Sequence, residues 1–161
     1  MKTICLLGVN GALKTRIRAY FLKNKSISVE NNEINISGNK YLINFDSQKA
    51  LSNRRSIYLF GGRKFNKNVT IPEESICVCS SADKNTLSFL FNKKVNVITC
   101  GLSITDTFTF SSLEQNKIIS LQRPIATLSE KILEPFEFEN VFSLKNDEDI
   151  LLFNSLITLI K

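Results

Sequence analysis

Residues 5–18 read "CLLGVNGALKTRIR". An apolar run, a glycine, a short turn and then Lys14-Thr15 before apolar residues at helical spacing is the order of a phosphate loop between a strand and a helix. One position departs from it. A G-x-x-x-x-G-K-[ST] loop that begins at Gly8 needs a second glycine before the lysine, and Leu13 stands there. Glycine lets the backbone approach phosphate and take positive φ. Leucine puts a branched side chain at the same place. The start of the helix is also basic, with Lys14, Arg16 and Arg18 and no acid. Each such charge opposes the helix macrodipole by about 0.3–1 kcal/mol, which a nearby anion would relieve. Three readings stay open: a turn whose basic side chains point into solvent, a weak anion site, or a working nucleotide triphosphatase.

The flanking segments set the frame. "TICLL" (3–7) has the continuous apolar character of a buried parallel strand. Leu13, Ile17, Tyr20 and Phe21 predict a helix over about 12–23. In "KSISVENNEINISGNKYLINFD" (25–46), Ile27 and Val29, Ile34 and Ile36, and Tyr41, Ile43 and Phe45 alternate with polar residues. That predicts an antiparallel meander with a tight turn at Gly38-Asn39. "SQKALSNRR" (47–55) reads as a short helix. "SIYLF" (56–60) reads as a buried strand leading into Gly61-Gly62 and the basic loop "RKFNKN". "SICVCS" (75–80), "ADKNTLSFLFNKK" (82–94) and "VNVIT" (95–99) form a strand–helix–strand unit, with Leu87, Leu90 and Phe91 on one side of the helix.

Beyond Gly101 the period changes. "DTFTFSSL" (106–113) and "NKIISLQ" (116–122) predict a hairpin across Glu114-Gln115. "IATL" and "KILEPFEFE" continue as short strands broken by Pro124 and Pro135. "NDEDILLFNSLITLIK" (146–161) has acids in its first turn and a wide apolar stripe, the pattern of a capped helix. That stripe must be buried against the sheet or against a partner protein. The expected architecture is a single α/β domain over residues 1–161. It has a mostly parallel, Rossmann-like or P-loop-like sheet flanked by helices, with antiparallel hairpins.

The totals exclude several classes. With 43% apolar and 22% charged residues, the 161-residue chain has a globular composition. No apolar run approaches the roughly 18 residues of a membrane span, and no signal-peptide core is followed by a cleavage site, so a cytoplasmic protein is expected. The chain has no histidine. That removes Ser-His-Asp and Cys-His catalysis and most catalytic zinc sites. Cys5, Cys77, Cys79 and Cys100 form no C-x-x-C pair and are expected to be buried free thiols. The net charge of +6 favours anionic partners. Nothing beyond charge points to nucleic acid, because the Phe-rich segments alternate as core strands do.

In a parallel sheet, loops that follow strands gather at the carboxyl edge. Arg63, Lys64 and Lys67 could there join Lys14 around one anion, or form a solvated basic loop. The candidate anion or nucleotide site is therefore Gly8, Asn10, Gly11, Lys14, Thr15, Arg63 and Lys64. No catalytic residue, metal ligand or cofactor is assigned, and weak phosphate or nucleotide binding stays open. Asp83 and Asp106 could hold Mg²⁺ between them, but a helix cap and a turn residue are the expected roles.

Residues 76–113, "ICVCSSADKNTLSFLFNKKVNVITCGLSITDTFTFSSL", resemble the later part of a Mur ligase central domain. "SSAD" is similar to its Asn-Ala-Asp-like turn, "VNVITCGLS" to its strand with a Tyr-Gly-Leu-Ser-like step, and "DTFTFSSL" to the hairpin that follows. "LLGVNGALKT" is similar to the family's phosphate loop through Gly8, Asn10 and Gly11. Aligned that way, Ala12 stands where the phosphate lysine belongs; aligned on Lys14-Thr15, Leu13 replaces a glycine. The family's metal-binding glutamate and histidine segment has no counterpart. The resemblance implies a shared fold and argues against ligase activity. The leading expectation is a non-catalytic, Mur ligase-like domain that acts by binding, with an unknown protein partner through the C-terminal helix. The alternatives are a small nucleotide- or phosphate-binding enzyme using Gly8–Thr15, and a nucleic-acid-binding protein.

Overall fold

Strands that are apolar at every position need cover on both faces, and here they find it. The structure, a computed structural model, describes residues 2–23, 29–30, 33–36, 39–44 and 55–161. The expected helix at 47–55 lies outside these apart from Arg55, as do Ile27, Gly38 and Phe45 of the expected meander. Strand β1 (Lys2–Leu7) leads into α1 (Gly11–Lys23), followed by β2 (Val29–Glu30), β3 (Glu33–Ile36) and β4 (Asn39–Asn44). Then come β5 (Ile57–Phe60), β6 (Ile76–Ser80), α2 (Lys84–Leu90), β7 (Asn96–Cys100), β8 (Phe108–Ser112) and β9 (Ile118–Leu121). The chain continues through β10 (Ile125–Ala126), β11 (Ile132–Leu133) and β12 (Phe136–Glu139) to α3 (Asp147–Leu159).

Among the described residues, the main sheet has ten strands in the order β12-β9-β8-β7-β6-β5-β1-β4-β3-β2, and β10 and β11 pair antiparallel as a separate ribbon. Its centre is parallel: β1 pairs with β4 on one side and β5 on the other, and β5, β6 and β7 follow in register. Antiparallel strands extend both edges, β3 and β2 beyond β4, and β9 and β12 beyond β8. This is the α/β fold with antiparallel hairpins that the sequence predicts. One parallel step has a short connection: β8 starts at Phe108, opposite Cys100, the last residue of β7. Because β8 continues outward from where β7 ends, no return crossover is needed.

Alternation within the strands divides the core in two. Ile4, Leu6, Ile57, Leu59, Ile76 and Val78 face α1 and α3, and pack with Leu13, Ile17 and Phe21 of α1. Cys5, Leu7, Tyr58, Phe60, Cys77 and Cys79 face the other way, under Leu90 of α2 and Val69. All four cysteines are buried and free of disulfides.

Helix α3 buries its apolar stripe against the sheet, one of the two placements expected for it: every residue from Asp149 to Ile160 is buried. It packs against β6, β7, β8 and α1. Residues from 125 to 144 add further contacts to it. Leu128 N donates to Leu159 O (3.0 Å), Asn154 Nδ2 to Asn140 Oδ1 (3.0 Å), and the Phe142 ring lies 4.6 Å from that of Phe153. Helix α2 is shorter than its apolar spacing predicts. It ends at Leu90, so Phe91 falls at the C-cap and is 85% exposed rather than packed beside Leu87. Among the described residues, no helix is long and apolar enough to cross a membrane.

Burial pushes the thiols of Cys77 and Cys79 up from 9.0 to about 12, and that of Cys100 up as well. A group whose proton is held more tightly in the folded chain contributes stability that is present below its unfolded pKa and lost as pH rises through its folded one. Denaturant midpoints should therefore be level up to about pH 9 and fall between about pH 9 and 12. At pH 7, maleimide should label Cys77 and Cys79 about a hundredfold more slowly in the folded than in the urea-unfolded chain. Equal labelling rates would show that this face of the sheet is open.

Candidate functional site

In an open α/β sheet the ligand crevice lies at the carboxyl ends of the strands, where the chain turns from one side of the sheet to the other. Here that point falls between β1 and β5, because the chain leaves β1 toward β4 and returns to β5. The loop after β1 carries the phosphate-loop-like residues, and the loop after β5 carries the glycines and cations.

The two loops close on each other. Gly61 N donates to Leu7 O (2.9 Å) and Arg63 N to Gly8 O (3.1 Å). Gly8 has φ +60°, and a Cβ there would lie 2.2 Å from the Arg63 carbonyl oxygen. A Cβ on Gly61 would lie 2.4 Å from Val9 Cα. The glycines at these two positions thus admit neighbouring backbone, which fills the crevice. Gly11, the residue that most resembles a loop glycine, is exposed and has nothing within 4 Å of an added Cβ.

Asn10 is the N-cap of α1. Its Oδ1 accepts from Leu13 N (2.9 Å), and Lys14 N donates to Asn10 O (3.0 Å). Its amide nitrogen donates to both carboxylate oxygens of Asp149, at 3.0 and 2.9 Å. Asp149 is 5% exposed and also accepts from Asn146 Nδ2 (3.0 Å), while its own N–H donates to Asn146 Oδ1 (2.7 Å). Asn146 is the N-cap of α3. One carboxylate therefore joins the N-termini of the two helices on this face. Asp149 and Gly61 were not among the predicted site residues. Asn146-x-x-Asp149 is a capping-box-like pattern visible in sequence, but nothing local links it to Asn10, 139 residues away.

Lys14 is half-buried and Thr15 is exposed; both sit in the first turns of α1. Arg63 and Lys64 are brought together instead in a neighbouring cavity of about 360 Å³, which Lys14 does not line. It lies between residues 62–67 and the first turn of α2, with Phe65, Lys67, Asp83, Asn85 and Thr86 in its wall. The expected grouping is thereby corrected. Arg63, Lys64 and Lys67 line a space beside α2, on the opposite face of the sheet from α1 and Lys14.

Asp83 and Asp106 take the cap and turn roles. Asp83 Oδ1 accepts from Thr86 N (3.1 Å) and Oδ2 from the Thr86 hydroxyl. Asp106, 2% exposed, accepts from Ser81 Oγ (3.1 Å) and Ser103 N (3.0 Å). Among the described residues, no group of three or more acidic, cysteine or histidine side chains is placed to hold a metal ion.

Gly8→Ala and Gly61→Ala should each lower stability in urea denaturation by about 1–3 kcal/mol, the usual range for overpacking. Gly11→Ala should be neutral or stabilising by up to about 1 kcal/mol, since alanine favours the helix and the space is open. A turn shaped for phosphate would make Gly11 the sensitive position. No protein-family model and no curated protein sequence matches this chain.

Proposed function

We propose that the chain is a non-catalytic, Mur ligase-like α/β domain that acts by binding and does not turn over a nucleotide at its phosphate-loop-like turn. The observation that carries this reading is the bond from Asn10 to Asp149. A working loop offers its helix amides and its lysine to phosphate. Here the Leu13 amide is given to the Asn10 side chain and the Lys14 amide to the Asn10 carbonyl. The Asn10 amide is in turn held by a buried carboxylate. A nucleotide phosphate arriving at this turn would have to displace Asn10 and lie beside that carboxylate. Like charges about 4 Å apart repel by about 4 kcal/mol at an effective dielectric near 20.

The close contact of Gly8 with Arg63 adds a steric reason. Phosphoryl transfer consists mostly of positioning and charge stabilisation. A turn filled by backbone and faced by a carboxylate supplies neither. The resemblance of "SSAD" and "VNVITCGLS" to Mur ligase segments supports a related fold, while the departures at Ala12 and Leu13 fit a domain without ligase chemistry.

Phosphate release from ATP or GTP with Mg²⁺ should stay at the buffer rate for the wild-type chain and for Lys14→Ala alike. Release well above buffer that Lys14→Ala abolishes would make the turn a working site and overturn this reading.

A further inference from the structure

We infer that the cavity between residues 62–67 and the first turn of α2 is a binding site for a hydroxylated phosphomonoester, such as a sugar phosphate. This deepens the reading of the chain as a binding domain and rests on it.

The charge comes first. Arg63, Lys64 and Lys67 line the cavity, and all three are exposed. None of them has a carboxylate partner among the described residues. Three cations drawn to one space repel each other, and a dianionic phosphate relieves that repulsion. Guanidinium and ammonium groups suit it, the first as a planar fork and the second as a point charge. The single carboxylate in the wall, Asp83, already accepts from the Thr86 amide and hydroxyl. The local balance therefore stays positive.

Size and the remaining polar groups narrow the class. A space of about 360 Å³ is far larger than a phosphate ion, and it falls in the roughly 300–1,000 Å³ range of small-molecule sites. Opposite the cations, Asn85 is exposed and its side chain makes no hydrogen bond among the described residues. Its amide can both donate and accept, and Asp83 keeps lone pairs for a hydroxyl donor. These groups suit the alcohols of a sugar rather than a second anion. Phe65 is half-buried and fixed edge-on by Phe60 (5.0 Å) and Phe89 (5.3 Å), which gives the cavity a firm apolar side. The backbone of the cation loop is anchored by the Arg63–Gly8 and Gly61–Leu7 hydrogen bonds, so little ordering remains to be done on binding.

The test is a titration of the ¹⁵N-labelled full chain with ribose 5-phosphate, inorganic phosphate and ribose, followed by amide shifts. Ribose 5-phosphate should bind about tenfold more tightly than inorganic phosphate and shift residues 62–67 and 83–86, and ribose alone should not bind. The double variant Lys64→Ala/Lys67→Ala removes only exposed side chains and should weaken binding by about tenfold or more. Lys14→Ala, outside the cavity, should change it less than about twofold. Shifts at residues 8–15 instead of 62–67, equal affinity for inorganic phosphate, or no binding of either phosphate would overturn the proposal. So would a single-stranded oligonucleotide that outcompetes ribose 5-phosphate on the same amides, since it would make the loop a nucleic-acid contact. None of these outcomes touches the absence of nucleotide turnover, which the phosphate-release assay decides separately.

Discussion

A single buried carboxylate organises the carboxyl edge of this sheet. Asp149 accepts from Asn10, which caps α1, and from Asn146, which caps α3. Each helix N-terminus carries roughly half a positive charge, and α1 adds Lys14, Arg16 and Arg18 without any acid in its first turn. Asp147, Glu148 and Asp149 open α3 on the same side of the sheet. The anion that the basic start of α1 calls for is thus part of the chain. It ties the two helix starts together above the layer of Leu13, Ile17, Phe21 and Phe153 that packs against the strands.

That arrangement explains why the crevice between β1 and β5 does not serve as the ligand site. Loops that would normally part around a phosphate meet backbone to backbone at Gly8, Gly61 and Arg63. The cations that follow β5 are directed across the next strand, toward α2. A fold can keep the order of a phosphate loop while its chemistry moves to the adjacent gap, because order lies in the strand–turn–helix frame and chemistry lies in a few side chains.

Much of the frame was legible because it is local. Continuous apolar runs at 3–7, 56–60 and 75–80 have one structural solution, a sheet covered on both faces, and the alternating segments after residue 105 have another. The boundary of α2 was less legible. Leu87, Leu90 and Phe91 share a helical face on paper, but the helix stops before Phe91 can use it. The burial of α3 was harder still. Its acidic first turn and apolar residues mark a helix, yet part of its cover comes from 125–144, a segment whose short broken strands give no sign of what they meet. The candidate site was legible as a set of residues and not as a grouping. Lys14 and Arg63 both follow strands, but α1 carries Lys14 on one face of the sheet while the loop after β5 turns toward α2 on the other. Asp149 could be read as a capping residue, but its bond to Asn10 joins positions at opposite ends of the chain.

The cover over α3 also bears on how the molecule is assembled. The β10–β11 ribbon precedes α3 in the chain and meets its C-terminal end, while β12 extends the sheet beyond β9 and leads into Asn140, which meets Asn154. Without these contacts α3 presents a helix apolar on nearly every side. The Leu128–Leu159 and Asn140–Asn154 bonds close only when α3 and these segments meet. Until α3 docks, the face of β6, β7 and β8 that receives it is open to other apolar surfaces.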